Sequence, residues 1–147
     1  MKWWELGLAA GAFALLAATA SAQSAYEARV AIMKGNGAAM GAIGKYVKGE
    51  APYSPAVPEA AKKLQEHSMS VAAAFLKGSE HEKSRAKAEI WTDWPGFEKQ
   101  VKDFQAASAA LVSATAADDK EKIAAAQGAV GKTCGGCHDA FRGPPKT

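Results

Sequence analysis

Apolar positions recur at intervals of three and four through most of the chain, and period-two alternation is almost absent. That spacing predicts helices rather than strands. Four stripes separate cleanly. The first runs from about Ala25 to Lys48 through Tyr26, Val30, Met33, Gly37, Met40, Gly44 and Val47, with a Ser24/Glu27 capping-box pattern before it and Gly49 after it. The second runs from about Pro55 or Pro58 to Lys77 through Ala61, Leu64, Val71 and Phe75, and Gly78 closes it. The third begins near Pro95, with Asp93 as its cap, and carries Phe97, Val101, Phe104, Ala107 and Leu111. The fourth begins at Asp118-Asp119, follows Ile123, Ala126, Val130, Cys134, Cys137 and Phe141, and stops at Gly143-Pro144-Pro145.

Four helices of similar length, joined first and last by short links, predict an all-α fold: an antiparallel up-down-up-down four-helix bundle. The middle link, Gly78 to Trp94, is longer and holds Ile90, Trp91 and Trp94. It either lids the bundle end or folds back over something large and apolar.

The segment before these helices has a different character. Lys2 gives a positive start, Leu8 to Ala20 is almost wholly apolar, and Ala20-Ser21-Ala22 has the small-x-small pattern of a cleavage site. The run is short for a membrane span. Residues 1–22 are therefore expected to be a cleaved signal peptide, and residues 23–147 an exported domain without a membrane span. Lys2 and Glu5 cancel, so the net charge of +3 is unchanged by cleavage. That bias is too weak to argue for nucleic acid, and no basic run or stacking platform accompanies it.

The chain has two cysteines, Cys134 and Cys137, and export would place them in an oxidising compartment. A disulfide between residues three apart would restrain little of the unfolded chain. They fall instead within Cys134-Gly135-Gly136-Cys137-His138, the C-x-x-C-H pattern of covalent haem attachment. On a helix, residues i, i+3 and i+4 share a face. Both sulfurs can bond a porphyrin edge while the His138 imidazole reaches the iron. Gly135 and Gly136 present no side chain to crowd the ring. A thioredoxin-like pair would start a helix after a strand, and this pair lies deep in a helix. A structural zinc site needs about four ligands, and the remaining histidines, His67 and His81, read as surface residues. The many alanines and glycines of the first and fourth helices would leave a void unless one haem filled it.

Helix geometry selects a second iron ligand. His138 lies roughly 8 Å from the end of its helix, and Met33 roughly 12 Å from the same end of the bundle, whereas Met40 lies roughly 22 Å away. Met33 is thus expected to face the iron. Gly35 and Gly37 beside it would let a flat ring approach, since glycine otherwise costs about 1 kcal/mol in a helix. Arg29, one turn before Met33, is placed to reach a haem propionate.

Further residues add a family resemblance. Cys134 to Arg142, together with Arg29-x-x-x-Met33-Lys34, Lys48-Gly49-Glu50-x-Pro52-Tyr53 and Glu89-Ile90-Trp91, resembles the class II c-type cytochromes, the cytochrome c′ family. The resemblance spans nearly all of residues 23–147. It implies a periplasmic four-helix bundle, His138 as proximal ligand, Arg29 near a propionate and Trp91 packed near the haem. It also implies two branches: five-coordinate proteins with a non-ligating distal residue that bind nitric oxide or carbon monoxide, and low-spin electron carriers with a distal methionine.

Met33 points to the second branch: a periplasmic carrier with six-coordinate His138/Met33 iron. A closed coordination sphere suits outer-sphere transfer to a redox partner protein, which Lys132, Arg142 and Lys146 would steer. The alternative is a five-coordinate gas binder. No paired acid and base or activated nucleophile marks an enzyme, and exposed small residues on the first two helices make a homodimer plausible.

Overall fold

The computed structural model describes residues 7–145, with side chains from residue 21 onward. Lys2, Glu5 and Lys146 lie outside the described residues. Five α-helices follow in order: α1 (Gly7–Val47), α2 (Ala56–Ser70), α3 (Glu89–Thr92), α4 (Trp94–Ala114) and α5 (Lys120–Phe141). Helices α1, α2, α4 and α5 form the bundle, each packed against its neighbours in the cyclic order α1–α2–α4–α5. No strand occurs among the described residues, only an isolated antiparallel bridge between Ala86 and Arg142.

The predicted helix ends mostly reflect real caps. Helix α1 closes in a Schellman turn: Gly49 takes φ +77°, Glu50 N–H donates to Lys45 O at 2.8 Å and Gly49 N–H to Tyr46 O at 2.9 Å. Asp93 accepts from Gly96 N–H at 3.1 Å, and Asp119 accepts from Lys122 N–H at 3.1 Å. Two expectations fail. Helix α1 continues upstream through Ala22, so Ser24 is no cap, and its hydroxyl donates to Ser21 O instead. The second helix stops at Ser70 and tightens into a 3-10 turn over Ala72–Phe75 before Gly78, at φ +85°, turns the chain.

Two apolar clusters fill the bundle. One joins all four long helices through Ile43, Leu64, Leu111, Ile123 and Val130, each with no exposed surface. The other is aromatic and lies at the opposite end, where the Phe97 ring meets Phe75 at 5.1 Å, Trp94 at 5.4 Å and Phe141 edge-on at 5.5 Å. The link before α3 closes that end as a strap over the last turn of α5. Lys87 N–H donates to Phe141 O and Gly143 N–H to Arg85 O. The Lys87 ammonium caps the carbonyls of Asp139 and Ala140.

Candidate functional site

A void is present, but its α1 and α5 walls are mostly large side chains, with Gly37 and Gly131 the glycines that line it. A cavity of about 640 Å³ opens between α1, α4, α5 and the 71–90 segment, against the aromatic cluster. Its size falls in the roughly 300–1,000 Å³ range of small-molecule sites. The structure brings Arg29, Met33, Gly37, Cys134, Cys137 and His138 together in its wall.

Helix α5 delivers both thiols and the imidazole on one face, as the spacing requires. Burial raises the Cys134 thiol, and it raises Cys137 to about 11 with help from Cys134. A dithiol redox centre needs the opposite shift, so this environment disfavours that chemistry. Burial, then Arg142 and Arg85, hold the His138 imidazole below its ordinary value, with Asp139 opposing. The neutral form so favoured is the one that coordinates a metal.

Arg29 is only 4% exposed. Its guanidinium donates to Ala74 O at 3.0 Å, Ser79 Oγ at 3.1 Å and Ser79 O at 2.6 Å, and it sits 5.0 Å over the Phe75 ring. Burial lowers its pKa, while Glu80 and then Tyr26 oppose the shift. The Nε of this buried cation has no partner. That nitrogen is sealed from the cavity, so an anionic group would pair with it only after the Arg29 side chain shifts. Two thiols, one imidazole and a largely apolar wall fit a haem c.

The other sequence-derived residues are placed differently. Trp91 is absent from the cavity wall; it packs behind it against the aromatic cluster, and its indole N–H donates to Phe75 O at 2.8 Å and Leu76 O at 3.1 Å. A side chain at Gly35 would strike the His67 ring of α2, and one at Gly136 would meet Gln100 Oε1 at 3.2 Å. Those glycines therefore serve helix packing rather than access to a ring. Neither histidine outside α5 is a simple surface group. His67 is half-buried and bonds Asn36 Oδ1 at 2.9 Å, and His81 stacks on Tyr26 with ring centroids 4.4 Å apart. Sequence reasoning missed Asn36, which lies in the cavity wall, and it placed Met40 too far away, although Met40 lines the same cavity.

The sequence model of the family described as Cytochrome C' matches residues 24–142. The chain belongs to the cytochrome c′ family. It is 32% identical over 124 residues to cytochrome c′ of Pararhodospirillum photometricum, covering 84% of this chain and 99% of that one. Among solved structures, the nitric oxide complex of a point mutant of cytochrome c prime from Alcaligenes xylosoxidans superposes with a TM-score of 0.77 at 33% identity, covering 85% of this chain and 98% of that one. A carbon-monoxide-bound variant from the same organism superposes at 0.76 and 33% identity, covering 84% and 97%. One covalent haem c is the cofactor of this cytochrome c′ family.

These relatives correct the electron-carrier reading. The family model and most of the similar curated proteins are named cytochrome c′, and several solved relatives hold nitric oxide or carbon monoxide. Cytochrome c-556 of Rhodopseudomonas palustris is also similar, at 32% identity over 142 residues covering 92% of this chain and 94% of that one. Six-coordinate iron closed by Met33, and with it membership of the low-spin branch, is not sustained. Met33 has an apolar alternative to the iron, since it packs on the Phe75–Phe97 cluster. Arg142, expected in a docking patch, is exposed, forms a backbone bridge with Ala86 and also lines the cavity. No helix among the described residues is long and apolar enough to cross a membrane.

Proposed function

We propose that this chain is a five-coordinate cytochrome c′ that binds nitric oxide or carbon monoxide on the α1 side of a single covalent haem c. The observation that carries this reading is the asymmetry of the cavity wall. His138 is its one imidazole and stands on α5, whereas α1 supplies no histidine and faces the cavity with Val30, Met33, Gly37 and Met40 between the polar Tyr26, Arg29, Lys34 and Asn36. Iron held by one axial imidazole supplies a free coordination position for a diatomic ligand.

The chain's own residues set the terms of access. Cys134 and Cys137 fix the macrocycle, and His138 supplies the proximal nitrogen. Arg29, a cation in the cavity wall, would attract a propionate. Met33 keeps the α1 side apolar and crowded, which excludes water and admits small uncharged ligands. The chain is exported to the periplasm after removal of residues 1–22, and the exposed small side chains of α1 at Ala38, Gly41 and Ala42 are a face on which two copies can pair.

Optical spectra of the holoprotein test this reading. The ferric form is expected to be high-spin, without the far-red band of a methionine–iron bond, and the ferrous form to bind carbon monoxide. A low-spin ferric spectrum with that band would overturn it.

A further inference from the structure

Asn36 is buried to 8% exposure and lies in the cavity wall on the same face of α1 as Met33, three residues further on. Its carbonyl oxygen turns away from the cavity toward α2, where it meets His67 Nδ1 at 2.9 Å. Its amide nitrogen has no protein partner among the described residues. That nitrogen is not among the sealed, unpartnered donors, so it keeps accessible surface and is open to water or to a ligand. Between the apolar side chains of Met33 and Met40 on the α1 wall, that end is a hydrogen-bond donor.

The position along α1 separates this donor from the propionate site. Arg29 lies one turn before Met33 and Asn36 nearly one turn after it, so the two polar groups flank Met33 about 10 Å apart along the axis. The anionic edge of the macrocycle belongs at Arg29, leaving Asn36 beside the ligand position.

We infer that Asn36 is a ligand-binding residue, donating a hydrogen bond from its amide nitrogen to the diatomic held on the α1 side, and that His67 is its positioning residue. The inference rests on the five-coordinate reading above. His67 holds the amide by pinning its oxygen, and the absence of a side chain at Gly35 lets the His67 ring approach α1 closely enough to do so. The dyad therefore spans two helices, and the α1–α2 contact sets the angle at which the donor enters the cavity.

The test uses the ferrous carbon monoxide complex of the intact holoprotein, read by infrared spectroscopy and by ligand dissociation. A donor to the carbonyl oxygen draws electron density into the bound ligand and weakens its C–O bond. Asn36→Leu is expected to raise the C–O stretching frequency and to speed dissociation about threefold to tenfold, the range for one neutral hydrogen bond. His67→Phe, which keeps a ring over Gly35 but cannot hold the amide, is expected to broaden the band and move it part of the way. Unchanged frequency and dissociation in Asn36→Leu would overturn the assignment of Asn36. If His67→Phe alone left both unchanged, the positioning role of His67 would fall. A wild-type holoprotein that bound no carbon monoxide would instead remove the gas-binding reading itself, and this inference with it.

Discussion

Gly35 of α1 lies directly under the ring of His67 on α2, so close that a single added methyl group would collide with the imidazole. Alanine normally gains about 1 kcal/mol over glycine inside a helix, whereas overpacking costs about 1–3 kcal/mol. Gly35→Ala is therefore expected to destabilise the holoprotein by about 1 kcal/mol. With His67→Ala present, the same change is expected to stabilise it by a similar amount. A double-mutant cycle by chemical denaturation reads this reversal of sign, and simple additivity would show that the two residues do not meet.

Removing Arg29 is expected to weaken the fold as well as the haem site. Its guanidinium satisfies Ala74 O in the 3-10 turn and Ser79 O just after Gly78, and hydrogen bonds to charged groups contribute about 1.5–3 kcal/mol each. Arg29→Leu should lower stability by about 3 kcal/mol in urea denaturation while leaving the haem covalently attached. Loss of haem staining without loss of stability would mean that Arg29 serves attachment alone.

The thiols make a separate prediction. Cys134→Ala combined with Cys137→Ala should abolish haem staining on a denaturing gel, whereas His138→Ala should retain it and lose the native spectrum. Staining that survived the double cysteine substitution would place the covalent link elsewhere.

Met33→Ala removes a half-buried thioether from the aromatic cluster, with an expected cost of about 2 kcal/mol. Its clearer signature is kinetic. Carbon monoxide association should quicken because the α1 wall is less crowded, while the ferric spectrum stays high-spin. Association at the unchanged rate would show that Met33 does not limit access.

At the far end of the bundle, the Tyr46 hydroxyl donates to Asp118. Chiefly this hydrogen bond, with burial next, raises Tyr46 to about 12, against about 10 for a free tyrosine. The folded state thus favours the neutral phenol. The stabilisation is complete below pH about 10 and is lost as pH rises toward about 12. Tyr46→Phe should flatten that alkaline decline in thermal melts taken between pH 9 and 12, and an identical decline would assign it to other groups.

How far the sequence reveals this site depends on the range of the contacts involved. Cys134, Cys137 and His138 are legible because one turn of helix brings them together whatever the rest of the chain does. Helix ends at Gly49, Asp93 and Asp119 are legible for the same local reason. Asn36 is not, because a stripe read for apolar residues passes over it, and its buried oxygen is satisfied by a residue 31 positions away on another helix. The start of α1 is missed because an alanine-rich upstream segment continues the helix past a good capping sequence. Met33 shows the limit of spacing itself: rise per residue puts it in the cavity wall, but not on or off the iron. Trp91 entered through the resemblance alone, and its bonds to the carbonyls of Phe75 and Leu76 are contacts that spacing does not show.

Cys134 and Cys137 face inward, half-covered, beneath a strap of main-chain bonds from Arg85 and Lys87 to the end of α5. Both sulfurs nevertheless line the cavity and stay partly exposed, so the folded bundle still presents its attachment points from within.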